Sequence, residues 1–174
     1  MTYEIREFTP QRLLNVRSQW EQIAGPDEFA VELAVTFDWA ESHLSPATGS
    51  SQALELLDIE SQDTHAILEL IDGKRGQLTK LLTMYASPIF WNVRPDDTND
   101  VVRLYSGAIK GVVPNEMADD EDSKVNEVRI YGREPQLLTV IQTVQQFWLH
   151  DSDWQATMEG RWLVLRKASR KGTR

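Results

Sequence analysis

Residues 52–86 hold three strand-like stretches in a row: QALELLDIE at 52–60, THAILELID at 64–72 and QLTKLLTMYA at 77–86. A helical period can be laid on any one of them. Asp72-Gly73 and Gly76, however, stand between the second and third and favour a hairpin turn, which fixes both flanks as strands. Consecutive strands require a sheet, and the helical patterns on either side of them then make the chain an α/β (α+β) domain.

The flanking segments follow the same reasoning. Tyr3 and Ile5 alternate with Glu4 and Arg6, so residues 2–8 predict a first strand. Thr9-Pro10 supplies an N-cap and a proline at the first helical position. The helix that follows has Leu13, Val16, Trp20 and Ile23 as its apolar stripe and is stopped by Gly25-Pro26. Asp27 is expected to cap one further helix with the stripe Phe29, Leu33, Phe37, Ala40 and Leu44. A helix over 99–113 places Val102, Tyr105, Ile109 and Val113 on one face, although Gly107 and Gly111 each weaken it by about 1 kcal/mol relative to Ala. Val128 and Ile130 mark a strand at 127–132, and Pro135 opens an amphipathic helix to about His150. WQATMEGRWLVLRK predicts two strands around Glu159-Gly160.

The expected order is therefore β-α-α-β-β-β-α-β-α-β-β, a mixed and mostly antiparallel sheet with helices on both faces. A helix linking 77–86 to 127–132 acts as a right-handed crossover, so these two strands should be adjacent and parallel. Trp20, Leu33, Phe37, Leu68, Leu82, Ile130, Ile141 and Trp148 form the expected core.

With 174 residues the chain fits one domain, placed at 1–165, followed by a basic tail at 166–174 that reads as solvated. An apolar fraction of 41% with six Trp residues is enough for a packed core and excludes disorder. There is no cysteine, which excludes disulfides, thiolate metal sites and cysteine nucleophiles. The segment MTYEIREFTP lacks the apolar region of a secretory signal, and no apolar run approaches the roughly 20 residues that cross a bilayer. A cytoplasmic protein away from membranes is the expectation. Five of the 18 basic residues lie in 166–174, which leaves 13 against 27 acidic ones and a net −14 on the remainder. So acidic a body repels a phosphate backbone, and no duplex nucleic acid is expected as partner. Asp119, Asp120, Glu121 and Asp122 read as a solvated loop.

Motifs for chemistry are scarce. His43, His65 and His150 form no pair at helical ligand spacing, and no metal site is expected. There is no phosphate-cradling Walker loop, no nucleophile elbow and no dinucleotide fingerprint.

The order of elements, the opening strand followed at once by a Pro-started helix, and the closing hairpin together resemble the GCN5-related N-acetyltransferase superfamily. The resemblance covers essentially the whole chain. It implies an acyl-CoA cofactor whose pyrophosphate is held by an Arg/Gln-x-x-Gly-x-Gly/Ala loop between the fourth strand and the next helix, where free N–H groups and the helix dipole favour anions. The matching stretch here is ASPIFWNVRPDDTNDV at 86–101. It has no glycine, carries Pro88 and Pro95, and sets Asp96, Asp97 and Asp100 where phosphates would lie. Acetyl-CoA is thus possible but disfavoured.

The resemblance also locates a cleft between 77–86 and 127–132. It implies Tyr85 and Tyr131 beside that cleft, with Tyr131 as a weak candidate general acid toward a leaving thiolate. Ser87, Phe90, Trp91 and Arg94 lie in the loop that follows, and two adjacent aromatics there either cover a ligand or plug the cleft, plugging being preferred. Three functions compete: a catalytically silent domain that binds a protein or small molecule, which is preferred, an acyl-CoA-dependent N-acyltransferase with an unconventional loop, and an unrelated α+β interaction module.

Overall fold

The structure is a computed structural model and describes residues 2–45, 50–73, 78–91, 98–113, 125–132, 135–148 and 154–167. Strand β1 (Tyr3–Glu7) leads into helix α1 (Pro10–Ala24), then α2 (Pro26–Glu32) and α3 (Ala34–Ser42). Three strands follow, β2 (Ser51–Asp58), β3 (Thr64–Gly73) and β4 (Leu78–Ala86), and then a 3₁₀ turn at Pro88–Phe90. The remaining elements are α4 (Thr98–Val112), β5 (Glu127–Tyr131), α5 (Pro135–Trp148), β6 (Trp154–Glu159) and β7 (Trp162–Lys167).

The strands form one seven-stranded sheet in the order β1-β2-β3-β4-β5-β7-β6. Neighbours are antiparallel except β4 and β5, which run parallel from Leu78↔Glu127 to Leu81↔Ile130, as the crossover argument requires. The sheet divides the core in two. Trp20, Phe37, Leu33, Phe29 and Ile67 pack under α1–α3 on one face. Leu56, Leu68, Leu81, Leu104, Ile130, Ile141 and Leu163 pack under α4 and α5 on the other.

Local chemistry accounts for the element ends. The Thr9 hydroxyl accepts from Arg12 N–H at 3.1 Å, which satisfies one of the donors the first turn of α1 leaves over. Gly25, at φ 85°, closes α1 in a conformation that a side chain resists and hands the chain to Pro26. The expected single helix from Asp27 is in fact two. The N-cap is Gly25, Asp27 lies inside the first turn, and the axis breaks at Leu33 with φ −120°. The bond Leu33 N–H to Phe29 O closes α2 and the bond Phe37 N–H to Leu33 O opens α3, so the two helices meet at Leu33.

Of the expected core, Trp20, Leu33, Phe37, Leu68, Ile130 and Ile141 are buried, and the Trp148 side chain lies outside the described residues. Leu82 is the correction: it is half-buried, and Leu81 takes the core position. The register explains the swap. Glu69 faces Thr83 while Leu70 faces Leu81, so Leu82 is the extra residue of a β-bulge. A second bulge in β3 leaves His65 over, between Leu57↔Thr64 and Leu56↔Ala66.

Gly107 and Gly111 cost helix propensity for a reason the sequence does not show. A Cβ on Gly107 would sit 2.2 Å from Tyr3 Cδ2, and one on Gly111 would sit 2.8 Å from Ile5 Cδ1. The two glycines, one turn apart, let α4 lie directly on β1.

β7 includes Arg166 and Lys167, and 168–174 lie outside the described residues. Arg166 Nε donates to Glu127 at 3.2 Å and Arg166 Nη2 to Glu159 at 2.8 Å, across the β5-β7-β6 edge. Burial opposes the charge on Glu127, but hydrogen bonds from Arg129 and Arg166 outweigh it and hold the carboxyl below its usual range. The acidic loop at 119–122 is outside the described residues. Among the described residues no helix is long and apolar enough to cross a membrane.

Candidate functional site

The Leu82 bulge shapes the C-terminal end of β4. Side chains of a strand alternate between faces, so one extra residue exchanges the faces of everything beyond it. Past the bulge, Met84 and Ala86 join Leu81 on the α4 face, while Tyr85 is carried to the α1–α3 face and packs against Trp39 at 6.2 Å between ring centroids. Pairing with β5 stops at Leu81, one residue before the bulge. What lies beyond is a splay between β4 and β5 and a wider cleft past the end of β4.

Side chains fill the splay. Leu81, Thr83, Met84, Tyr105, Ala108, Ile109, Ile130 and Tyr131 enclose a space of about 10 Å³, room for one water at most. Tyr131 lines this space and tilts against Trp162 at 4.8 Å between centroids. It does not line the wider cleft.

That cleft measures about 400 Å³ and is bounded by Glu32 and Leu33 at the α2–α3 break, Met84, Tyr85 and Ala86 from β4, Phe90 and Trp91 from the 3₁₀ turn, and Val101, Leu104 and Tyr105 from α4. Of the residues singled out in the sequence, Tyr85, Phe90 and Trp91 are brought together here. Ser87 is buried and serves the turn: its N–H donates to His65 O at 2.9 Å, and its own carbonyl accepts from Phe90 N–H at 2.9 Å. Arg94 lies outside the described residues. Glu32, Leu33, Met84, Val101, Leu104 and Tyr105 were not singled out for a site. Tyr105 carried only a core signal in its helical stripe, and Glu32 carried none.

Phe90 lines the cleft and also packs inward. Its ring meets the buried His65 edge-on at 5.2 Å. The bulge in β3 places His65 there, and its Nδ1 lies 3.1 Å from the Tyr3 hydroxyl. Burial pushes the His65 pKa down, against the pull of Asp58 and Asp63. Burial also lifts the Tyr3 hydroxyl to about 12, with the Asp58 and Asp100 carboxylates adding to the rise and Arg103 opposing it. Both groups are therefore neutral near pH 7, and neither adds a charge beneath Phe90.

The fit of an acyl-CoA can be judged from the described part of its loop. Ser87 N–H is bonded to His65 O, Phe90 N–H to Ser87 O and Trp91 N–H to Pro88 O, while Pro88 has no N–H at all. Donors committed inside a turn do not hold a pyrophosphate, and Asp100 adds an acidic side chain to the first turn of α4. Among the described residues the splay leaves about 10 Å³, too little for an extended thioester arm as it stands. The described residues do not fit the cofactor that the resemblance implies.

The element order, the mixed seven-stranded sheet and the parallel β4–β5 pair are those expected from the resemblance to the GCN5-related N-acetyltransferases. No protein-family model matches the chain. No curated protein matches it either. Among solved structures it is similar to an acetyltransferase from Thermus thermophilus, at 14% identity over 97% of this chain and 98% of that one, with a TM-score of 0.42. It is similar to an acetyltransferase of the GNAT family from Bacillus anthracis, at 7% identity over 95% and 92%, with a TM-score of 0.48. It is also similar to the PaiA N-acetyltransferase from Thermoplasma acidophilum, solved in complex with coenzyme A, at 14% identity over 97% and 100%, with a TM-score of 0.34.

Proposed function

We propose that this domain is a catalytically silent binding module: it keeps the acetyltransferase scaffold and takes a small ligand in the cleft at the end of β4. One observation carries the reading. Between β4 and β5, Met84, Tyr105 and Tyr131 stand in the splay and leave about 10 Å³, while the adjoining cleft offers about 400 Å³. A volume of that size is in the range of small-molecule sites, and a mix of aromatic walls with a few polar groups is their usual lining. The committed amides of Ser87, Phe90 and Trp91 support the same reading, because they offer a polyanionic cofactor no donors.

Isothermal titration with acetyl-CoA at low salt tests it, since low salt exaggerates any attraction between the protein and a polyanion. The expected result is no measurable heat and no thermal stabilisation, whereas a ligand at 100 times its dissociation constant adds about 2.7 kcal/mol. Micromolar binding that Arg94→Ala abolishes would overturn the reading. It would restore the alternative, an acyl-CoA-dependent N-acyltransferase with Tyr131 as general acid.

A further inference from the structure

We infer that the cleft at the end of β4 takes an alkylated ammonium ion, a cation without N–H donors, held by aromatic side chains and the Glu32 carboxylate. The inference rests on the reading of this domain as a binding module and names the chemistry of its ligand.

Among the described residues ten bound the cleft, and four of them are aromatic, Tyr85, Phe90, Trp91 and Tyr105, in a chain that is 9% aromatic overall. Aromatic rings carry negative faces that attract a cation brought near them, and aromatic-lined sites of this kind recognise quaternary ammonium groups. Glu32 is the only Asp, Glu, Lys or Arg among those ten residues, and it is negative. Arg103, beside Leu104 on α4, is turned outward, 66% exposed, and paired with Asp100 at 3.6 Å, so it does not offset Glu32 within the cleft. His65 under Phe90 adds no positive charge, because burial keeps it neutral. The net charge of −9 on the whole chain draws cations toward the surface and repels anions.

The choice of an alkylated ammonium over a primary one follows from the count of acceptors. A primary ammonium brings three N–H donors, each costly to leave without a partner once out of water. Among the described residues the side-chain acceptors on the walls are the Glu32 carboxylate and the phenol oxygens of Tyr85 and Tyr105. Leu33, Met84, Ala86, Phe90, Val101 and Leu104 offer apolar surface and a polarizable thioether. Methyl groups on nitrogen remove the donors, keep the charge, and match such walls.

The full chain would be titrated with choline and, separately, with 3,3-dimethylbutan-1-ol, which has the same shape with carbon in place of the charged nitrogen. Binding is read from the indole N–H resonance of Trp91, assigned by its loss in Trp91→Leu. Choline should bind about tenfold more tightly than the neutral isostere, the margin expected of a cation over aromatic faces. Glu32→Gln should narrow that margin at the same resonance, and Trp91→Leu, followed by isothermal titration because it lacks that resonance, should weaken choline binding; both positions are exposed. Equal binding of the two probes would overturn the ligand class and leave the binding module standing. Binding of neither probe would also overturn it, and micromolar acetyl-CoA binding in the same sample would show that the functional reading failed first.

Discussion

Gly107→Ala inserts one methyl group where α4 crosses β1, and the structure fixes the sign of its effect. The new Cβ would lie 2.2 Å from Tyr3 Cδ2, 2.8 Å from Cγ and 3.1 Å from Cβ, so the overlap involves the root of the Tyr3 side chain as well as its ring. Swinging the ring aside does not relieve all of it, and would also part the Tyr3 hydroxyl from His65 Nδ1. Either α4 retreats from the sheet or Tyr3 leaves its rotamer. Alanine gains about 1 kcal/mol of helix propensity over glycine, while overpacking a filled core costs about 1–3 kcal/mol and occasionally more. With contacts this short the upper end applies, and the expected net loss is about 2 kcal/mol. Urea titration followed by circular dichroism reads it as a lower midpoint at unchanged slope. The same substitution in a Tyr3→Ala background meets no ring and should be neutral, or stabilising by up to about 1 kcal/mol. A stabilised Gly107→Ala single variant would show that α4 stands further from β1 than described. Equal losses in the two backgrounds would show that Tyr3 is not what the methyl group meets.

Three further substitutions test separate parts of the argument. Leu81→Ala removes a buried side chain and should cost about 2–5 kcal/mol, whereas Leu82→Ala, on the half-buried bulge residue, should cost no more than about 1.5 kcal/mol; equal losses in denaturant would place the bulge elsewhere. Arg12 Nε donates to the buried Glu55 at 2.8 Å, so Arg12→Met leaves a carboxylate stranded and should cost up to about 3 kcal/mol, the low end for broken buried pairs because Arg12 is partly exposed. Burial holds His65 below its ordinary 6.5, so the unfolded chain takes up the proton first as pH falls. The stability tied to neutral His65 is complete above 6.5 and drains away as pH falls toward its folded value. Wild type should therefore lose more Tm between about pH 7.5 and about pH 5.5 than His65→Gln, which keeps a partner for Tyr3; parallel curves would refute the buried histidine.

The fold was legible because its signals are local. Alternation in 52–86, the Thr9-Pro10 helix start and the Pro135 helix each depend on neighbours in sequence, and each reappears within a residue or two of its expected place, while the turn between β3 and β4 at 74–77 lies outside the described residues. The departures are set by contacts distant in sequence. Nothing near Leu33 marks a break: Phe29, Leu33 and Phe37 keep a clean helical stripe, and all three are buried on either side of the bend. Gly107 and Gly111 read as weaknesses of a helix until β1, about a hundred residues away in sequence, is placed beneath them. Three of the ten described residues of the site, Tyr85, Phe90 and Trp91, were legible in the sequence. Phe90 and Trp91 stand out as paired aromatics in a loop, whereas Glu32 reaches the cleft only because the chain bends at the next residue.

The bulge at Leu82 joins these two scales. Alternation from Leu81 predicts Thr83 and Tyr85 on the core face and Met84 away from it, which would set Tyr85 beside Tyr131 and leave the splay to small Thr83 and one phenol. One unpaired residue reverses that assignment. Met84 now faces Tyr105 and Tyr131 and helps to close the splay, while Tyr85 turns toward Trp39 and becomes a wall of the wider cleft. Closing the one space and lining the other are therefore a single structural event. It follows that removing the bulge by deleting Leu82 should act on both together: the faces of residues 83–86 exchange, Met84 leaves the splay, and Tyr85 leaves the cleft. A deletion variant that stays folded should lose the ammonium preference of the cleft as it opens the splay, read by the choline and 3,3-dimethylbutan-1-ol titrations. Retention of the preference at full strength would mean that Tyr85 is not one of the walls that recognise the ligand.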